Sequence, residues 1–229
     1  MVLKTYVDPV SQPSRALMLF VRAAKIDFEE NLILIREGQQ KTDEYAKINK
    51  FQKVPAIVHD DFQLAESISI LRYLARTFTV DDHWYPKDVR SQARVDEFLA
   101  WQHLGLRLPL TRYILAVIRP ELLFMLTTKP TEEDLANLKK QAEKALDDVE
   151  KLWLEGSKFV HGDEISIADL MAVGEIEMIR LTGYNPREGR PKLSAFLDRV
   201  KETVGADLYD GVHEDLNKVV DYFAVKLAK

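Results

Sequence analysis

Three short stretches in the first seventy residues carry side chains able to bind and polarise a small ligand. Ser11-Gln12-Pro13-Ser14-Arg15 stands where a strand-like run gives way to a helix-like one. A hydroxyl at such a bend lies at the positive end of the helix dipole, beside unpaired backbone N–H groups, and can stabilise an anion. It can equally cap the helix. No histidine or lysine base is placed nearby by sequence and no G-x-S-x-G elbow is present, so Ser11 lacks support as a hydrolytic nucleophile. Lys53-Val54-Pro55-Ala56 immediately precedes a second strand-like run. A cis proline there turns the backbone N–H and C=O of Val54 outward toward a peptide-like ligand, whereas a trans proline marks an edge strand. Glu66-Ser67 opens another helix-like run. Ser67 and its amide suit a carboxylate and Glu66 suits an amine, so the pair fits an amino-acid headgroup, or else serves as a cap with an acidic first turn.

The composition excludes several chemistries. The 229 residues include no cysteine, so any sulfur that reacts must belong to a ligand. His59, His83, His103, His161 and His213 follow no H-x-H or H-E-x-x-H spacing, and no metal site is expected. With 32 Lys+Arg against 37 Asp+Glu the net charge is −5, and no basic block suggests nucleic acid as a partner. The amino terminus lacks the apolar stretch of a signal peptide, and the longest apolar run, Tyr113 to Ile118, is too short for a membrane span. A cytoplasmic protein with no membrane partner is expected.

The elements that position these residues fall into two textures. Strand patterns at Val2–Val7, Phe28–Leu34, Ala56–His59 and Phe62–Leu64 alternate with helical spacing over Pro13–Ala24 and from Glu66 to about Phe78. This predicts an α/β domain over residues 1–79, a polar linker over 80–87 and an all-α domain over 88–229. Helices are expected near 88–118, 131–154, 166–181, 190–203 and 206–227, with Pro109 and Pro120 kinking or ending the first. Ser166 and Asp169 have the spacing of a capping box, with Ile165 and Leu170 as its hydrophobic staple. Tyr6, inside the first strand, reads as packed. Arg107, among Leu104, Leu106, Leu108 and Leu110, needs an anionic partner or access to water.

The three motifs, in their order and spacing, resemble those of the cytosolic glutathione transferases, most closely the theta class. Gly38-Gln39-Gln40-Lys41, His83-Trp84-Tyr85-Pro86, Ala100-Trp101-Gln102, Ile167-Ala168-Asp169-Leu170 and Glu188-Gly189-Arg190-Pro191 extend the resemblance over nearly the whole chain. It implies a thioredoxin-like amino-terminal domain, an all-helical carboxyl-terminal domain and a homodimer. It also implies an enzyme of detoxification that uses glutathione as co-substrate, holds no permanent cofactor, and acts on halides, epoxides, sulfate esters or hydroperoxides. By the same resemblance Ser11 donates to the glutathione thiolate and Pro55 is cis. Gln12, Gln40, Lys41, Lys53, Val54, Pro55, Glu66 and Ser67 form the glutathione site, and Arg107, Leu110, Tyr113 and Ile114 the electrophile site. Family members often carry histidine where this chain has Gln40, and the end at Lys229 leads to the expectation of an open pocket. The alternative is a noncatalytic module that uses the same fold for assembly.

Overall fold

In a computed structural model, which describes residues 2–119 and 130–227, the first strand β1 (Leu3–Val7) turns Leu3, Thr5 and Val7 into the core and Lys4 and Tyr6 away from it. Helix α1 (Gln12–Ala23) crosses over to β2 (Glu29–Leu32), which pairs parallel to β1. Every α1 residue from Ser14 to Val21 is buried. Such a helix must be covered on all sides, and α1 is: the sheet lies on one side and the helical half of the chain on the other. After a short helix α2 (Asp43–Ala46), β3 (Ala56–His59) pairs antiparallel to β1 and to β4 (Phe62–Ala65), giving the order β2-β1-β3-β4. Helix α3 (Ser67–Thr77) buries Ile70, Leu71 and Leu74 along one face.

Among the described residues every later element is helical: α4 (Val89–Gln102), α5 (Leu108–Ile118), α6 (Glu132–Asp148), α7 (Ile167–Met178), α8 (Pro191–Val204) and α9 (Ala206–Leu227). The centre is α7, buried from Ile167 through Glu177 and packed against α1, α4 and α8. The predicted capping box starts it. Ser166 accepts from the Ala168 N–H, the Asp169 carboxylate accepts from the Ser166 N–H at 2.7 Å and the Val160 N–H at 2.8 Å, and Ile165 and Leu170 are both buried. Burial nevertheless pushes the Asp169 carboxyl up to about 6, against the pull of these donors.

Several expectations change in detail. The strand expected over Phe28–Leu34 shrinks to Glu29–Leu32, because Ile35–Glu37 and Gln39–Lys41 wind into 3-10 turns. The helix expected over 88–118 is interrupted by a π turn, His103–Arg107, which sets Pro109 in the first turn of α5 where its missing N–H costs least. A second π turn, Val149–Trp153, closes the helix expected over 131–154. The linker expected over 80–87 contains a 3-10 turn, Asp82–Trp84, and buries Trp84 and Tyr85, so it is packed rather than solvated. Pro120 lies outside the described residues.

His213 on α9 gives a pH-dependent check. Its Nδ1 donates to the Tyr209 carbonyl at 2.8 Å, and its ring stacks on Tyr209. Burial, reinforced by the Arg15 charge, pushes its pKa down from 6.5 to about 4. The unfolded chain therefore binds a proton that the folded chain refuses between those values, and stability falls as pH drops through that window. Relative to His213→Gln, wild type should lose about 2–3 kcal/mol of unfolding free energy between pH 7 and 4. Urea melts of both proteins at several pH values measure the difference; Asp169 is common to both and cancels.

Candidate functional site

Register delivers the sequence motifs to one end of the sheet. Ala56 lies opposite Tyr6 on one side and Ala65 on the other, and Tyr6 also faces Asn31 of β2. Beyond that row β1 runs on to Ser11, β2 to Gln40 and Lys41, and β4 to Glu66 and Ser67, while β3 is entered through Val54-Pro55. All these residues leave the sheet at the same edge. The amino termini of α1 and α3 lie there too, and neither has an acidic residue in its first turn. The positive end of α1 carries no carboxylate in its first turn and favours an anion, whereas at α3 the N-cap Glu66 supplies a carboxylate beside the Ser67 amide.

Ser11 is extended at φ −74° and ψ 126°, with its N–H donating to the Asp8 carbonyl at 2.9 Å and its carbonyl accepting from the Arg15 N–H at 3.0 Å. Its side chain makes no capping hydrogen bond, so the capping alternative is not what the hydroxyl does. The Val54–Pro55 bond is cis. The Lys53 carbonyl is fixed by Tyr45 Oη at 2.8 Å and Asn49 Nδ2 at 2.7 Å, and ladder pairing begins only at Ala56, outside Val54. Glu66 takes a positive φ of 68° and Ser67 is buried at the first position of α3. A non-glycine residue in that region costs about 1–3 kcal/mol and is commonest where function requires it. Lys41 and Lys53 are exposed, and Gln40 has a buried Oε1 without a partner. Tyr6 stands edge-on to Tyr45, in a packing role.

The helical half contributes a second cluster. Arg107, in the π turn, reaches the fully buried Glu175 of α7 through Nε at 2.7 Å, which supplies the anionic partner its apolar setting requires. Burial pushes the Glu175 carboxyl up, opposed by Arg107 and then Arg15. Desolvation and then the Arg107 charge pull the His103 pKa down, while Glu66 pulls it up. Of the four residues expected at an electrophile site, Arg107 and Tyr113 are partly exposed, whereas Leu110 and Ile114 are core residues. Asp8 was not anticipated. Its carboxylate accepts from the Val10 and Ile35 N–H groups at 2.8 Å each, tying the Ser11 bend to the segment that carries Gln40 and Lys41. An acidic residue just past a strand was the signal available for it. Among the described residues no group of three or more His, Asp or Glu could hold a metal ion, and no helix is long and apolar enough to cross a membrane.

Known proteins share both halves. The family model "Glutathione S-transferase, N-terminal domain" matches residues 1–76, and "Glutathione S-transferase, C-terminal domain" matches residues 111–203. The chain belongs to the glutathione S-transferase family, and its mixed sheet followed by an all-helical half is the fold of that family. Its relatives point further, to the theta class. Glutathione S-transferase theta-1 of Mus musculus is 39% identical over 96% of this chain and 91% of its own, and that of Homo sapiens 38% over 97% and 92%. Human glutathione transferase theta-2 in complex with glutathione and an unknown ligand superimposes with a TM-score of 0.89 at 32% identity, covering 98% of this chain and 91% of that one. A human theta-class enzyme in complex with the glutathione conjugate of 1-menaphthyl sulfate also gives 0.89, at 33% identity over 99% and 92%.

The Arg107–Glu175 pair predicts an asymmetry. Glu175 is wholly buried and Arg107 a quarter exposed. Arg107→Ala strands a buried carboxylate and should cost about 3–5 kcal/mol, whereas Glu175→Gln leaves a cation that can reach water and should cost clearly less. Denaturant melts at neutral pH rank the two.

Proposed function

We propose that the protein conjugates the glutathione thiolate to small electrophiles, with Ser11 donating the hydrogen bond that keeps the sulfur ionised. The observation that carries this is the Ser11 hydroxyl: it sits at the bend between β1 and α1, at the positive end of α1, and is not spent on capping that helix. Glutathione in the human theta-2 complex and a glutathione conjugate in the other human enzyme support the choice of ligand. The γ-glutamyl headgroup goes to Glu66 and Ser67, the cysteinyl backbone to Val54 ahead of cis Pro55, and the glycine carboxylate to Lys41, Lys53 and Gln40. Gln12 lies beside the thiol. Glu66, Lys41 and Lys53 pair a ligand charge with its complement, while Val54 offers backbone N–H and C=O and Gln12 and Gln40 offer amides.

Lowering a thiol pKa from about 8.5 to about 6.5 needs roughly 2.7 kcal/mol of preference for the anion. A hydrogen bond to a charged acceptor supplies about 1.5–3 kcal/mol and the helix end part of the remainder. The thiol proton leaves to water. The thiolate then attacks an electrophilic carbon held near Arg107 and Tyr113, and holding both reactants together supplies much of the acceleration. With halides and sulfate esters the halide or sulfate leaves, and an epoxide opens to its alkoxide. With a hydroperoxide the thiolate instead attacks the outer oxygen and releases the alcohol, and a second glutathione converts the sulfenic acid to disulfide and water; detoxification in the cytoplasm is the setting. The working form is a homodimer of chains divided at residues 1–79, 80–87 and 88–229.

Titrating the ultraviolet absorbance of the thiolate in the glutathione complex tests this. Ser11→Ala should raise the bound thiol pKa by about 1–2 units and lower kcat/KM at neutral pH roughly 10- to 100-fold, with KM for glutathione little changed. A wild-type protein that ignores glutathione, or leaves its thiol as protonated as in buffer, would instead be a noncatalytic module of this fold.

A further inference from the structure

Ser11 is bracketed by a single side chain. Arg15 is fully buried, and its guanidinium curls back along the chain: Nη1 donates to the carbonyls of Pro9 at 3.1 Å and Val10 at 2.8 Å, the two residues just before Ser11. The Arg15 backbone N–H meanwhile holds the Ser11 carbonyl. Nη2 reaches across to α7 and donates to the Gly174 carbonyl at 2.8 Å. Apart from a long contact from Nη2 to Met178 Sδ at 3.8 Å, the guanidinium bonds backbone carbonyls, although burying it without a directly bonded carboxylate is costly. Burial pulls the Arg15 pKa down to about 10, opposed first by Glu175 and then by Glu177 of α7. Tyr209 of α9 also opposes the shift, and Arg180 adds to it. His213 of α9 is the other titratable neighbour.

Gly174 makes the same contact from the other side. A Cβ built there would lie 2.7 Å from the Gln12 carbonyl oxygen, so α7 touches the backbone of the residue following Ser11. The segment from Pro9 to Gln12 is thus held at both ends, by one guanidinium and by one helix surface.

We propose that Arg15 is a positioning residue for the thiolate: by gripping the carbonyls before Ser11 and locking them to Gly174 of α7, it fixes the direction in which the Ser11 hydroxyl points. This rests on the reading of Ser11 as the thiolate donor. The planar fork of arginine serves three carbonyls at once, which a lysine ammonium on a flexible stem cannot reproduce. The role therefore depends on shape as well as charge.

The test uses the full chain with bound glutathione and four variants: Ser11→Ala, Arg15→Lys, Arg15→Gln and Gly174→Ala. The last leaves Arg15 and its charge in place but pushes the Gln12 carbonyl away. Arg15→Lys and Gly174→Ala should each raise the bound thiol pKa by about one unit and lower kcat/KM at neutral pH about tenfold. KM for glutathione should stay within about twofold, and the deficit should shrink as pH rises past the shifted pKa. Circular dichroism and thermal midpoints identify the variants that fold, and Gly174→Ala carries the test if the Arg15 variants do not. A bound thiol pKa unchanged from wild type in folded Arg15→Lys or Gly174→Ala overturns the proposal while Ser11→Ala still shifts it. A shift in Arg15→Gln but not in Arg15→Lys also overturns it, because charge alone would then suffice. No shift in Ser11→Ala removes the reading on which the proposal stands.

Discussion

The burial of α7 is the constraint on which the rest of the structure depends. A helix covered on every side cannot leave a charged side chain unanswered, because desolvating an unpaired carboxylate costs several kcal/mol. Its acidic residues accordingly recruit their surroundings. Asp169 takes N–H groups from Val160 and Ser166, Glu175 takes Arg107 from the turn ahead of α5, and Glu177 takes Arg180 and the Tyr209 hydroxyl. The carbonyl of Gly174 takes Arg15. One helix therefore fixes both sides of the site, the bend that carries Ser11 and the turn that carries Arg107, without presenting a side chain of its own to solvent over most of its length.

What was legible in the sequence was local. The capping box at Ser166 and Asp169 is complete within four residues, so its geometry could be read directly. The span of α9 matched because its apolar stripe is uninterrupted. Ser11, Glu66 and Ser67 draw notice because each sits at a junction between two periodicities, where a polar side chain stands out, and Val54 because a proline follows it just before a strand. The segment that carries Gln40 and Lys41 was harder. Its 3-10 turns depend on Asp8 accepting from the Ile35 N–H and on the Gln39 side chain accepting from the Leu34 N–H, and the first of these spans 27 residues. The partner of Arg107 lies 68 residues away, and no pattern of spacing announces it.

Leu110 and Ile114 illustrate a different limit. The resemblance groups them with Arg107 and Tyr113 at an electrophile site. The π turn changes the rotational phase between α4 and the helix that follows Arg107, and in that phase Leu110 and Ile114 lie in the core while Tyr113 stays partly exposed. Periodicity reports which residues share a face but not where the phase slips.

That slip is held in place by the residue behind it. A π turn amounts to an α-helical turn with one extra residue. Here Pro109 comes close behind it, within the first turn of α5. Excising the extra residue would restore a continuous α-helix and leave the proline in its interior, at a penalty of about 3 kcal/mol. The ring thus makes the wider turn costly to remove, and with it the path that brings Arg107 to Glu175.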